Sequence, residues 1–328
     1  MTYSIILLLV GFGILIKGAD FLVSGASSVA KRYGISNLAI GLTVVAFGTS
    51  MPELIVSMLA AIDGKSDASF GNVIGSNNLN LLLILGTAGI IYPLTVQNNT
   101  IKYEVPISLL AALVLFLLVN DTMIWGTNST AAPVNILSRI DSLLLLVFFA
   151  GFLFYIYRSM RNNVDLGGEP IKLHSRPTSI GIGLLGLVML IGGGKLVVDN
   201  AIEIAMYFHM SEKLIGLTIL AAGTSLPELA TSCVAAYRKN TDIAIGNVIG
   251  SNIFNIFLIL GVTGLVNPIP YNTVFNFDIY VLLGSTMLLL IFMFTLSTRK
   301  LDRWEAFILL ASYITYTIYI VGSDAGMG

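Results

Sequence analysis

The sequence predicts an all-α integral membrane protein: ten transmembrane helices in two inverted five-helix repeats. Three observations lead there. The chain is 56% hydrophobic and only 11% charged, whereas a soluble domain is about a quarter charged. Its apolar stretches are long. Two polar motifs recur at one fixed offset: GTSMPEL at 48–54 returns as GTSLPEL at 223–229, and GNVIGSNNLN at 71–80 returns as GNVIGSNIFN at 246–255, both 175 positions on.

A bilayer-spanning helix needs about 20 mostly apolar residues. Such stretches lie near 4–29, 37–62, 69–92, 104–120, 139–158, 178–204, 212–236, 244–267, 277–296 and 303–321. Bilayer strands would be short and alternating, so a barrel is excluded. The first stretch lacks the basic lead of a signal peptide and is too long for one, and is read as the first span. A net charge of -1 excludes a basic surface for nucleic acid. The single cysteine, Cys233, permits no internal disulfide. Lys31, Arg32, Lys102, Arg158, Arg161, Lys172, Arg176, Arg238, Lys239, Arg299, Lys300 and Arg303 fall on one side of the bilayer, against Lys65, Arg139 and Lys213 on the other. That bias predicts a multi-pass protein of the cell membrane with both termini outside.

Aligned without a gap, 41–90 and 216–265 are identical at more than half of their positions, and Gly18 falls on Gly193. The predicted domains are an N-terminal repeat, 1–158, a polar cytoplasmic linker, 159–177, and a C-terminal repeat, 178–328. Five spans per repeat is odd, so the second copy is inverted relative to the first. A site is then expected at the midplane, where the copies meet.

In the second span, Pro52 offers no N–H to the Gly48 carbonyl. Such a break survives at membrane depth only inside protein or beside a water-filled cavity. It is expected to free carbonyls around Ala46 to Gly48 as ligands. Thr49 and Glu53 are four apart and predicted to share a face, with Ser50 nearby. The seventh span repeats Gly223, Thr224, Ser225, Pro227 and Glu228. A lone kink is as often structural as functional. An acid at mid-membrane costs about 2.5–3.5 kcal/mol on insertion scales, so two matched acids point to function.

The third and eighth spans carry Asn72, Ser76 and Asn80, and Asn247, Ser251 and Asn255, each set four residues apart. Asn72 and Asn247 suit bracing of the broken helices, and the other four suit ligation. Gly71, Gly75, Gly246 and Gly250 form small-residue stripes expected to let helices approach closely. Lys17 with Asp20, and Lys195 with Asp199, are expected to form internal ion pairs that lower the cost of burial.

The donor set consists of hard oxygens, which suit Ca2+ and Na+ rather than copper or zinc. Two glutamates neutralise one divalent ion. The gross attraction per carboxylate is on the order of ten kcal/mol at an effective dielectric near 20, mostly offset by dehydration. One oxygen set with two alternative occupants is what an antiporter requires. A hydrolase is disfavoured, because no histidine sits in a span beside a serine. A passive cation channel could use the same oxygens, but its filter would sit on an oligomer axis.

At these motifs the chain resembles the sodium/calcium exchanger family, over nearly its whole length. The resemblance implies a core of spans two, three, seven and eight. It also implies a sliding bundle of spans one and six that gives alternating access. By motif position it implies as cation ligands Ala46 (carbonyl), Thr49, Ser50, Glu53, Ser76, Asn80, Ala221 (carbonyl), Thr224, Ser225, Glu228, Ser251 and Asn255. Asn stands at both 80 and 255, where some relatives carry an acid, which disfavours potassium co-transport. The GNVIGSN motif lacks the acid of proton-coupled exchangers, which disfavours H+/Ca2+ exchange, the closest rival. The expected partners are Ca2+, Na+ and the lipid bilayer, with the protein working as a monomer and no cofactor.

Overall fold

The computed structural model describes residues 2–120, 135–160, 175–207, 221–295 and 299–325. It is built of helices: α1 (Thr2–Tyr33), α2 (Asn37–Thr49), α3 (Met51–Ile62), α4 (Ser66–Ile91), α5 (Thr100–Val119), α6 (Arg139–Met160), α7 (Arg176–Tyr207), α8 (Ala221–Thr224), α9 (Leu226–Tyr237), α10 (Thr241–Val266), α11 (Asn276–Phe292) and α12 (Arg303–Ala325). Among the described residues, eight helices are long and apolar enough to cross a membrane, and α2 with α3 forms a ninth, bent span. Of the predicted seventh span only α8 and α9 are described. The linker residues 161–174 and residues 208–220, with His174, His209, Arg161, Lys172 and Lys213, lie outside the described residues.

The helices are not uniform. Leu79–Ile84 of α4 and Phe254–Leu260 of α10 widen into π-helix, starting at equivalent positions. Such widening is common at functional sites, because it turns the following side chains out of the α-helical register. Two ladders of two residues also occur, which the all-α reading did not include. Leu94–Thr95 (β1) pairs antiparallel with Lys300–Leu301 (β4), and Ile136–Leu137 (β2) with Ile269–Pro270 (β3). They pair backbone groups that the ends of the spans leave free. Each ladder joins one repeat to the other.

Glycines set the closest approaches. A Cβ on Gly18 would lie 2.9 Å from the Gly186 carbonyl oxygen, and one on Gly186 would lie 2.5 Å from the Leu22 nitrogen. Gly193 sits the same way, 3.1 Å from the Gly11 carbonyl oxygen. Residues 11 and 18 are the repeat equivalents of 186 and 193, so α1 and α7 embrace each other by exchanged contacts. A second exchange joins Gly86 to Ala306 and Leu310, and Gly261 to Ser142 and Leu146. When residue i meets j and their equivalents meet in turn, the contact has the pattern of a two-fold interface.

The stripe in α10 behaves as predicted: a Cβ on Gly246 would meet the Leu38 carbonyl oxygen at 2.9 Å, and one on Gly250 would meet Leu42 Cα at 2.9 Å. The stripe in α4 does not. Gly71 makes only ordinary contacts with Phe275, and Gly75 meets nothing within 4 Å among the described residues. The position equivalent to Leu42 is 217, outside the described residues.

The charged pairs also differ from expectation. Lys17 lies 3.5 Å from Asp20, but Asp20 pairs more closely with Arg238, beyond the end of α9. Lys195 and Asp199 form no ion pair with each other, and both are exposed. The expected pair three apart forms and the one four apart does not, and tertiary packing adds the Arg238 partner.

Gly186→Leu is expected to lower the thermal midpoint in detergent, at a cost of about 1–3 kcal/mol, because backbone rather than a flexible side chain faces the new carbon. Gly181→Ala, with nothing within 4 Å of its Cβ position, is expected to stay within about 0.5 kcal/mol.

Candidate functional site

The site begins at the two helix breaks. Ser50, at φ −85° and ψ 7°, separates α2 from α3, and the segments meet at 46°. Ser225, at φ −90° and ψ 6°, separates α8 from α9. Each break places a proline and a glutamate in the first turn of a new helix, where the positive end of the helix dipole favours a carboxylate. Glu53 and Glu228 are each only 1% exposed. Among the described residues, neither makes an ion pair with Lys or Arg.

The two copies interlock by exchanging partners. Ser50 donates to Glu228 Oε1 at 2.8 Å, and Ser225 to Glu53 Oε1 at 2.9 Å. Ser50 Oγ also lies 3.0 Å from Ser251 Oγ, and Ser225 Oγ 2.9 Å from Ser76 Oγ. Ser76 and Ser251 stand 3.5 Å from the Oε1 of Glu53 and Glu228. Each serine is three residues from one glutamate and bonded to the other, so both acids share one small volume. Thr49 donates to Asn247 Oδ1 at 3.1 Å, and Thr224 to Asn72 Oδ1 at 3.2 Å.

Asn72 and Asn247 brace the breaks as predicted. Asn72 Nδ2 donates to the Glu53 carbonyl at 3.2 Å and to Ser57 Oγ at 2.9 Å. Asn247 does the same to the Glu228 carbonyl and Ser232, at 3.4 and 2.9 Å. The sequence reading missed Asn77 and Asn252 as cross-links. Each donates to the other's backbone carbonyl at 3.3 Å. Each also accepts from the far ligand candidate: Asn80 to Asn252 Oδ1 at 3.0 Å, and Asn255 to Asn77 Oδ1 at 2.9 Å. The supports Ser57 and Ser232 were also missed, although the repeat alignment matches them as an identical pair.

Two expectations are modified. The Ala46 carbonyl already accepts from the Ser50 nitrogen at 3.0 Å and has Thr49 Oγ1 at 3.3 Å, an alternative to Asn247 for that hydroxyl's one hydrogen, while the Gly48 carbonyl is the one that Pro52 leaves without its helical donor. Thr49 does not simply share a helix face with Glu53, because the bend at Ser50 falls between them and Thr49 reaches the opposite repeat.

Four buried oxygens of this network have no hydrogen-bond partner among the described residues: Glu53 Oε2, Glu228 Oε2, Asn80 Oδ1 and Asn255 Oδ1. They form two equivalent pairs. A buried carboxylate oxygen without a donor is costly, and a cation supplies what each lacks. Among the described residues, no three His, Cys, Asp or Glu side chains gather as a metal site, so a bound ion must take most of its oxygens from hydroxyl, amide and carbonyl groups. That is coordination typical of hard cations. A cleft lined by Phe47, Met51, Leu54 and Phe254 reaches Ser50, and it has no room for a water molecule.

A buried acid pair of this kind, on broken helices of a multi-pass membrane fold, is the equipment of a membrane protein that handles cations. The model of the sodium/calcium exchanger protein family matches residues 3–158 and 178–322. The putative antiporter CaxA of Alkalimonas amylolytica is 37% identical over 98% of this chain and all of its own length. Sodium/calcium exchanger MaX1 of Methanosarcina acetivorans is 32% identical over 98% of this chain and 99% of its own. The structure of the sodium-calcium exchanger NCX_Mj soaked with Na+ and Sr2+ superposes with a TM-score of 0.80, at 32% identity, over 95% of this chain and 96% of that one. The chain belongs to the sodium/calcium exchanger family.

Asn72→Ala and Asn247→Ala are each expected to cost about 1–3 kcal/mol, because each removes a hydrogen bond to a threonine of the opposite repeat and one to a buried serine. The exchanged geometry predicts that the two losses, read from thermal or denaturant unfolding in detergent, agree within about 0.5 kcal/mol.

Proposed function

We propose that the protein is a secondary antiporter that exchanges Na+ for Ca2+ by alternating access. The unpartnered oxygens of Glu53, Glu228, Asn80 and Asn255 carry this reading. They supply two negative charges and two neutral dipoles, enough to neutralise one divalent ion. The proposed ligand set adds the hydroxyls of Thr49, Ser50, Ser76, Thr224, Ser225 and Ser251 and the carbonyls of Ala46 and Ala221. Several Na+ ions can divide the same oxygens, so each occupant excludes the other, and the carrier couples the two flows. The likeness to the sodium/calcium exchangers MaX1 and NCX_Mj supports Na+ and Ca2+ as the pair.

The two repeats are proposed to be inverted about an axis in the membrane plane, with the site at midplane. The bundle α1/α7 slides over a core of α2, α3, α4, α8, α9 and α10. The glycine contacts that make the bundle one body support this division. The termini lie outside and the 159–177 loop in the cytoplasm, as the Lys and Arg distribution favours. One chain carries both halves of the site, which supports a working monomer.

In reconstituted vesicles, an outward Na+ gradient is expected to drive uptake of radiolabelled Ca2+. Uptake that needs only a proton gradient would favour H+ coupling, and uptake with no counter-ion would indicate a channel. Glu53→Gln and Glu228→Gln are each expected to abolish exchange while leaving a folded protein. Ca2+ at about 100 times its dissociation constant should stabilise the wild-type chain by about 2.7 kcal/mol. That thermal shift should disappear in both variants, and full exchange by either one would sink the site assignment.

A further inference from the structure

The bundle and the core each have internally exchanged contacts, yet they dock on each other unequally. Helix α1 lies along α9, while α7, its repeat equivalent, does not lie along α3 in the same way. One ion pair seals the docked side: Asp20 of α1 with Arg238, just beyond α9, at 28% and 38% side-chain exposure. The repeat offset carries Asp20 onto Lys195 of α7, and Arg238 onto Asp63, just beyond α3. The exchanged glycine pairs verify that offset for α1 and α7. For the two turns it is supported by the backbone, since the next residues, Gly64 and Lys239, both have positive φ, at 74° and 58°. The signs at both positions are reversed, and the pair remains complementary. Each pair also joins one long base to one short acid. Here Lys195 and Asp63 are both exposed and do not pair with each other.

We propose that Asp20–Arg238 and Lys195–Asp63 are two mutually exclusive latches, one for each docking of the sliding bundle. In the structure described, α1 is latched to α9. When the bundle takes the equivalent position on the other copy, Lys195 meets Asp63 as Asp20 separates from Arg238. Equal docking surfaces make the two states close in energy, so a half-exposed ion pair has leverage over their ratio. Repeat identity explains the shared surfaces. It does not explain complementary charges of reversed sign, because drift of one position alone would have left like charges facing or a lone charge. The latches rest on the sliding motion proposed above.

The test reads position rather than flux. Spin labels on α1 and α10 of the full-length Cys233→Ala protein, in liposomes, report the distance between bundle and core. Asp20→Asn and Arg238→Gln are expected to shift the population away from the described docking by roughly two- to fivefold, the range of an exposed or half-exposed pair. Lys195→Gln and Asp63→Asn are expected to shift it the opposite way by a similar factor, and the double exchange Lys195→Asp with Asp63→Lys to restore it. A short bifunctional thiol reagent should also link Lys195→Cys to Asp63→Cys and arrest Ca2+ exchange. Two populations that ignore substitutions at Lys195 and Asp63, or that shift the same way as Arg238→Gln, would overturn the latch alone. A single unchanged distance in every variant would overturn the sliding motion and the latch together.

Discussion

The structure depends on two buried carboxylates that no Lys or Arg among the described residues balances. Glu53 and Glu228 sit at 1% exposure, and their acceptor capacity is only half used. Serines from the opposite repeat satisfy one oxygen of each, and the other has no partner among the described residues. The remaining features hold that arrangement in place. Pro52 and Pro227 break the helices so that each acid lies in a first turn. Asn72 and Asn247 stitch the breaks to α4 and α10, and Asn77 and Asn252 lock those two helices to each other. Removing the breaks would return both acids to continuous helices, where the exchanged serine contacts could not form.

Neither repeat is complete alone. Ser50 serves Glu228 and Ser225 serves Glu53. Thr49 serves Asn247 and Thr224 serves Asn72. The ladders at the loop ends and the glycine contacts of α4 with α12 and of α10 with α6 follow the same rule. The departure from it is the docking of the α1/α7 bundle, which favours one copy. In the proposed alternating access, the repeat-related surface of the other copy is the bundle's second position.

Much of this was legible in the chain. The apolar runs disclosed the spans, because a bilayer demands length and hydrophobicity of every helix that crosses it. The doubled GTSxPE and GNVIGSN strings disclosed Glu53, Glu228, Ser76, Asn80, Ser251 and Asn255, because polar groups at such depth are too costly to be incidental. The bracing role of Asn72 and Asn247 also followed from spacing. What did not follow were partners far apart in the chain: Asp20 with Arg238 rather than only Lys17, Asn77 with Asn252, and Thr49 with Asn247.

The sequence by itself determined the membrane class, the doubled motifs and the polar residues that the fold gathers between the two copies, because these depend on composition, period and local backbone chemistry. Only the tertiary structure decided which oxygens remain free. The Ala46 carbonyl already accepts from the Ser50 nitrogen, while Glu53, Glu228, Asn80 and Asn255 each keep one oxygen unpartnered among the described residues. The tertiary structure also decided which docking position the bundle occupies. Hydrogen bonds between residues about 175 positions apart leave no local signature, so satisfaction and vacancy are properties of the assembled fold.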